Sequence, residues 1–217
     1  SVRSSLDKQA QVLADKALKS GLLSYDKRHG YRGVLKNIPN NNWHQAYDKL
    51  RLPNNFIFAR VKEFLENDRT KIEVLVENKL QVGYLHNYRW ARKSLSNGYV
   101  GPEIEKATDF LKINDIIIVS SDGNNQYSLQ QIPEINGGIV VMDPYTGRVF
   151  ALSGGFDFKQ SNFNRVNQAK RQPGSSFKPF VYMKALENGL QPNSLILDAP
   201  FVVDQGKNLG KWKPENY

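Results

Sequence analysis

Arg171-Gln172-Pro173-Gly174-Ser175-Ser176-Phe177-Lys178-Pro179-Phe180 is the stretch on which the reading of this chain turns. Pro173-Gly174 breaks the backbone direction just before Ser175. Phe180, Val181, Met183, Ala185 and Leu186 then follow at roughly helical spacing, and Gly189 is placed to end the helix. Pro179 is tolerated only in a first turn, where backbone N–H groups have no partner, so the helix must start within a residue or two of Ser175. Residues three apart on a helix face the same way, with Cβ atoms ~5–6 Å apart. A lysine amine beside a serine hydroxyl can take its proton, one of the ways a serine becomes a nucleophile. The helix N-terminus also favours charge developing on the serine oxygen. Ser175 and Lys178 are therefore the candidate catalytic pair.

Spacing alone does not single them out. With fifteen serines and nineteen lysines, chance supplies one or two S-x-x-K matches, and the chain holds three: Ser5/Lys8, Ser24/Lys27 and Ser175/Lys178. The first two lack the Pro-Gly turn and the forced helix start. Ser5 reads as an N-cap before Leu6-Asp7, and Ser24 as part of a polar turn.

The residues around the pair resemble a known family. Asn164-Arg165, Gln168-Ala169, Arg171-Gln172-Pro173-Gly174-Ser175 and Phe177-Lys178-Pro179-Phe180 are similar to the nucleophile region of class A penicillin-binding proteins, and within them of Gram-negative bifunctional peptidoglycan synthases. Gly137 to Pro144 with Gly147 to Ala151 resembles the first hairpin of that family's transpeptidase domain. Leu22 to Gly33 is similar to its opening segment, and Trp212 to Tyr217 to a stretch downstream of the nucleophile. The match is good over 1–35 and 131–217 and loose in between.

The rest of the chain is organised around these segments. An apolar stripe of Ala10, Val12, Leu13, Ala17 and Leu18 predicts a helix over Gln9 to Ser20, ended by Gly21. Residues 33–55, rich in Asn and Pro, read as a linker with a helical turn around Trp43 to Leu50. Short strands are expected at Phe56 to Val61, Lys71 to Val76, Lys79 to Leu85, Asp115 to Ser120 and Gln126 to Ile132. Glu77-Asn78 and Asp122-Gly123-Asn124-Asn125 supply hairpin turns, and Tyr88 to Leu95 a helical interruption. Five such strands suit a small OB-like barrel, and the resemblance implies one here. Gly137 to Met142 and Arg148 to Leu152 form a further hairpin, whose apolar run suggests a strand buried on both faces. The expected fold class is α+β: a partial β-lactamase-like transpeptidase unit of sheet and helices, with an all-β OB-like barrel inserted. Residues 1–35 would begin the transpeptidase domain, 36–130 form the barrel, and 131–217 return to the transpeptidase domain with the S-x-x-K nucleophile.

Composition narrows the function classes. The chain carries no cysteine, which excludes disulfides and Cys-based metal sites. The net charge of +9 is spread over the three segments as +4, +2 and +3 rather than clustered, which argues against nucleic acid as the partner. No run of about 18 apolar residues occurs and the N-terminus lacks the plan of a signal peptide. Any membrane anchor of a parent protein is expected outside this chain. His29, His44 and His86 lie far apart, so no metal or other cofactor is expected. Asp143 and Asp157 flank glycine-rich turns and read as turn residues, and Gly154-Gly155 makes a poor phosphate loop. Arg165, Lys170 and Arg171 suit either steering of an anionic substrate or bracing of the loop before Ser175.

The resemblance implies a mechanism. Ser175 would attack a peptidoglycan stem peptide ending in D-Ala-D-Ala, expel the last D-Ala and pass the acyl group to a neighbouring amine. β-Lactams would acylate the same serine, on the periplasmic side of the bacterial inner membrane. Lys178 would be the base, which requires burial or nearby cations to lower its pKa. The S-x-N and K-[ST]-G partner motifs of such enzymes are not found after Ser175, so a fragment without a complete site is expected. The alternative is a non-catalytic role, in which the barrel binds peptidoglycan or a periplasmic protein.

Overall fold

Helix α1 (Lys8–Arg28) opens the first of two units, Ser1–Ala169 and Lys170–Tyr217. The computed structural model describes residues 4–47, 51–53, 55–66, 69–76, 79–199, 201–204, 206 and 210–214. Asp7 caps α1, its Oδ1 accepting the Ala10 N–H at 2.7 Å. Ser5, expected in that role, instead donates its hydroxyl to the Val149 carbonyl at 2.6 Å. The helix also runs through Gly21, so Ser24 is helical and not in a turn. A glycine costs a helix interior about 1 kcal/mol. Burial of Leu22 and Asp26 beyond it offsets that cost.

The strands follow as β1 (Lys36–Asn37), β2 (Ile57–Phe64), β3 (Thr70–Val76), β4 (Lys79–His86), β5 (Asp115–Gly123) and β6 (Gln126–Gln130). Their order is β1-β5-β2-β3-β4-β6, and β6 also pairs with β5, so β2 to β6 close a five-stranded barrel. The pairings are antiparallel except β4–β6, which closes the barrel in parallel. Alternation does the sorting. Ala59, Val61, Ile72, Val74, Ile117 and Val119 fill the barrel, while Phe58, Ile116 and Ile118 face out and pack with Leu22, Trp43 and Phe156. Asn124 and Asn125 turn β5 into β6 with φ of 49° and 58°, the left-handed pair that a two-residue hairpin needs. The other expected turn, Glu77-Asn78, lies outside the described residues. Gly83 is set by crowding: a Cβ there would stand 2.3 Å from the Tyr127 ring.

Two expectations fail in the middle of the chain. Tyr88 to Leu95 is not helical. Tyr88 and Ala91 are drawn into the barrel core, and Lys93 and Ser94 bridge to Tyr31 and Val100, which holds the segment extended. Short 3₁₀ helices occur instead at Ser96–Gly98 and Ala107–Asp109. The presumed linker does have its helical turn, the 3₁₀ helix Trp43–Tyr47 (residues 48–50 lie outside the described residues), but it also carries core: Trp43 is only 1 % exposed. Its indole donates to Glu73 Oε2 at 3.0 Å, and Arg60 pairs with the same oxygen at 2.8 Å.

A polar lock sits where the chain enters and leaves the barrel. Arg32 makes a two-point ion pair with buried Asp26 on α1 and donates to the Ile132 carbonyl at 2.6 Å. Gln131 Nε2 donates to Asp26 Oδ2 at 2.7 Å and to the Gly30 carbonyl at 3.0 Å. Residues 26–32 and 131–134 are thereby tied together.

After the barrel, β7 (Ile139–Met142) pairs antiparallel with β8 (Val149–Ser153), and α1 packs beside them. The Gln11 side-chain amide bonds both backbone groups of Leu152, at 3.1 and 3.0 Å, and Asp7 N–H donates to the Phe150 carbonyl. Strand β7 is not buried on both faces: Val140 and Met142 are exposed while Ile139 and Val141 are half-buried. Among the described residues only one face of the hairpin is covered.

Candidate active site

Ser175 and Lys178 lie in the second unit, where a 3₁₀ turn, Gly174–Phe177, leads directly into α2 (Lys178–Glu187). Gly174 takes φ 55°, the left-handed conformation that starts the turn. Pro179 falls in the first turn of α2, as its missing N–H demands. At the far end the Gly189 N–H bonds the Leu186 carbonyl at 3.0 Å and the Leu190 N–H the Ala185 carbonyl at 3.1 Å. With Gly189 at φ 87° this is a Schellman stop.

Ser175 and Lys178 are i and i+3, and the Lys178 N–H bonds the Ser175 carbonyl. Side chains at that spacing eclipse in a 3₁₀ turn. Ser176 is engaged elsewhere, its hydroxyl donating to the Pro173 carbonyl. Ser175 and Lys178 are both exposed, and α2 has no buried residue: Phe180, Val181, Tyr182, Met183 and Leu186 all stand exposed. Two short strands, β9 (Val203–Asp204) and β10 (Lys211–Trp212), pair antiparallel in this unit. Of the stretch Trp212 to Tyr217, residues 215–217 lie outside the described residues.

The remaining candidates, apart from Lys170 and Arg171, lie in the first unit. Arg165 braces its own loop, donating to the Phe163 carbonyl at 2.9 Å and reaching the Gly154 carbonyl at 3.4 Å. Lys170 and Arg171 are exposed residues of the second unit. Asp143 accepts the Tyr145 N–H at 3.0 Å and the Thr146 hydroxyl. Those bonds hold its carboxyl below the usual range, the Thr146 bond contributing most. Asp157 accepts the Lys159 N–H at 2.9 Å. Gly154 is small for packing: its added Cβ would lie 2.0 Å from Asn164 Oδ1, whose oxygen accepts the Val166 N–H. The glycine pair was the sequence signal for that close approach. His86 pairs with Asp122 at 3.1 Å, His29 stacks on Tyr25, and His44 meets Trp43 edge-on. Among the described residues no group of acidic or histidine side chains is arranged to hold a metal.

A closed five-stranded barrel is followed along the chain by a hairpin and then by a 3₁₀ turn that opens a helix. The chain belongs to the penicillin-binding proteins: residues 31–135 match the penicillin-binding protein OB-like domain and residues 137–217 the penicillin-binding protein transpeptidase domain. Its fold is α+β, a closed five-stranded OB-like barrel with part of a transpeptidase domain. The relatives are more particular. The chain is 40 % identical over 215 residues to Penicillin-binding protein 1A of Rickettsia typhi, covering 98 % of this chain and 26 % of that protein. It is 34 % identical over 221 residues to Penicillin-binding protein 1A of Escherichia coli K12, covering 99 % and 26 %. The crystal structure of Penicillin-binding protein 1A from Haemophilus influenzae superposes with a TM-score of 0.67 at 30 % identity, over 98 % of this chain and 30 % of that one. The chain thus spans about a quarter of the length of the curated relatives it matches.

Proposed function

We propose that this chain is part of a peptidoglycan D,D-transpeptidase in which Ser175 is the nucleophile and Lys178 its base. The observation that carries the reading is the position of Ser175 and Lys178, three residues apart where a 3₁₀ turn opens α2, inside the stretch matched to the transpeptidase domain. Ser175 Oγ attacks the carbonyl of the penultimate D-Ala of a stem peptide while its proton passes to Lys178 Nζ. The C–N bond to the last D-Ala then breaks, and Lys178 returns the proton to the departing amine. An amine of a neighbouring stem peptide attacks the resulting ester, regenerating the Ser175 hydroxyl and forming the cross-link. A β-lactam meets the same serine, its ring amide opening to an acyl-serine. The oxyanion is held by the Ser175 N–H and a second N–H from a strand.

Residues 1–35 and 131–217 form the transpeptidase portion and 36–130 an inserted barrel. Packing of α1 on the β7–β8 hairpin, and the lock joining residues 26–32 to 131–134, support that division. The working place is the periplasmic face of the inner membrane. The test is labelling of a longer protein that contains this chain by a fluorescent penicillin. Label that persists undiminished in Ser175→Ala would exclude Ser175 as the nucleophile.

A further inference from the structure

We propose that the cavity between α1 and the loop following β8 binds an uncharged N-acetylated saccharide. It lies wholly in the first unit and is independent of Ser175. Its volume is about 410 Å³. Small-ligand sites of that size pair an apolar lining with a few placed polar groups. Here the apolar part is aromatic: Phe158 and Phe163 line the cavity and are 80 % and 44 % exposed. The electron-rich face of an aromatic ring packs well against the C–H face of a sugar ring. The Arg165 guanidinium lies 5.6 Å from the centre of the Phe163 ring, which restrains that ring.

The polar lining selects a neutral ligand that both donates and accepts. Asp15 and Lys19 stand one turn apart on α1, yet neither has an ion-pair partner among the described residues. Asp15 Oδ1 accepts the Gln11 amide at 3.1 Å, and its Oδ2 has no donor among the described residues. That oxygen suits a sugar hydroxyl, and Lys19 offers a donor beside it. Asp15 and Asp157 against Lys19 leave the charged lining one net negative charge, which disfavours a phosphate or a carboxylate. Asn162 is exposed, and its amide has no partner among the described residues. Asn164 Oδ1 accepts the Val166 N–H at 3.0 Å, which leaves its Nδ2 to donate. Side-chain amides donate and accept at once, as an acetamido group does, and the acetamido methyl suits the two phenylalanine rings.

The test uses the 217-residue chain, followed by NMR at the amides of Lys19, Gly155 and Asn162. The probes are N,N′-diacetylchitobiose, cellobiose, which has the same ring frame without acetamido groups, and inorganic phosphate. Saturable shifts with diacetylchitobiose are expected, with a Kd on the order of millimolar for so small a ligand and roughly tenfold weaker binding of cellobiose and of phosphate. Phe158→Ser and Asn162→Ala should each weaken diacetylchitobiose binding about fivefold, through the lost ring face and the lost amide. Both residues are exposed, so the melting temperature of either variant should stay at that of the parent. The probe carries no stem peptide, so the outcome is separate from the reading of Ser175. No saturable shift, cellobiose binding as tightly, a preference for phosphate, or unchanged binding by either variant would overturn the proposal.

Discussion

Arg32 grips Asp26 at two points, Nη1 to Oδ1 at 2.9 Å and Nη2 to Oδ2 at 3.1 Å, and so fastens the segment entering the barrel to the end of α1. Asp26 is 4 % exposed and also accepts from Gln131 and the Glu134 N–H. Removing one partner of a buried pair leaves the other charge uncompensated, at about 3–5 kcal/mol. Arg32 keeps 28 % of its side chain in water, which softens the loss. Arg32→Ala is expected to destabilise the first unit by about 3 kcal/mol, read by urea unfolding. A loss below about 1 kcal/mol would mean that the lock does not hold the junction.

Glu73 gives a pH dependence. Burial pushes its carboxyl up, but hydrogen bonds from Trp43 and Lys62 and the charges of Arg60 and Lys62 outweigh it and hold the group below its ordinary value. The unfolded state therefore binds the proton more readily. The associated stability is fully present above the unfolded carboxyl's pKa, about 4.3, and is lost as pH falls through the lower folded value. Glu73→Gln should be less stable than the parent at pH 7, because it leaves Arg60 buried without its counter-charge. Chemical denaturation between pH 7 and pH 3 should show that gap narrowing; a constant gap contradicts the assignment.

Gly21 offers a gain. It sits inside α1, and a Cβ there meets nothing within 4 Å. Gly21→Ala is expected to raise stability by about 0.5–1 kcal/mol. Gly83→Ala should do the reverse, since its Cβ collides with the Tyr127 ring and the Asn125 carbonyl. Overpacking of that kind costs typically about 1–3 kcal/mol. Thermal melts of the two variants should move in opposite directions.

What the sequence revealed and what it hid follow one physical line. The five barrel strands, the β7–β8 hairpin and the start and stop of α2 are dictated locally, by two-residue alternation, by Pro-Gly and by a glycine at positive φ. Gly21 misled because its break signal is local, whereas the burial of Leu22 and Asp26 that overrides it is tertiary. Tyr88 to Leu95 misled in the same way, through side chains drawn into the barrel. The Asp26–Arg32–Gln131 lock joins residues more than a hundred positions apart, and no periodicity announces it. The position of Ser175 and Lys178 at the opening of α2 was legible because a proline fixes the helix start.

Lys178 should matter to rate more than to structure. It is exposed in α2 and makes no ion pair among the described residues. In a longer protein containing this chain, Lys178→Ala is expected to slow acylation by a β-lactam about 10²–10⁴-fold, the usual worth of a positioned base. Circular dichroism of the same variant should be unchanged. Acylation at the parent rate would remove Lys178 from the proposed step.

The most direct measurement is peptide mapping by mass spectrometry after a β-lactam has reacted with that longer protein. The account predicts one adduct of the intact β-lactam's mass on the peptide containing Ser175, absent in Ser175→Ala. An adduct on another residue, or one that survives in Ser175→Ala, would contradict it.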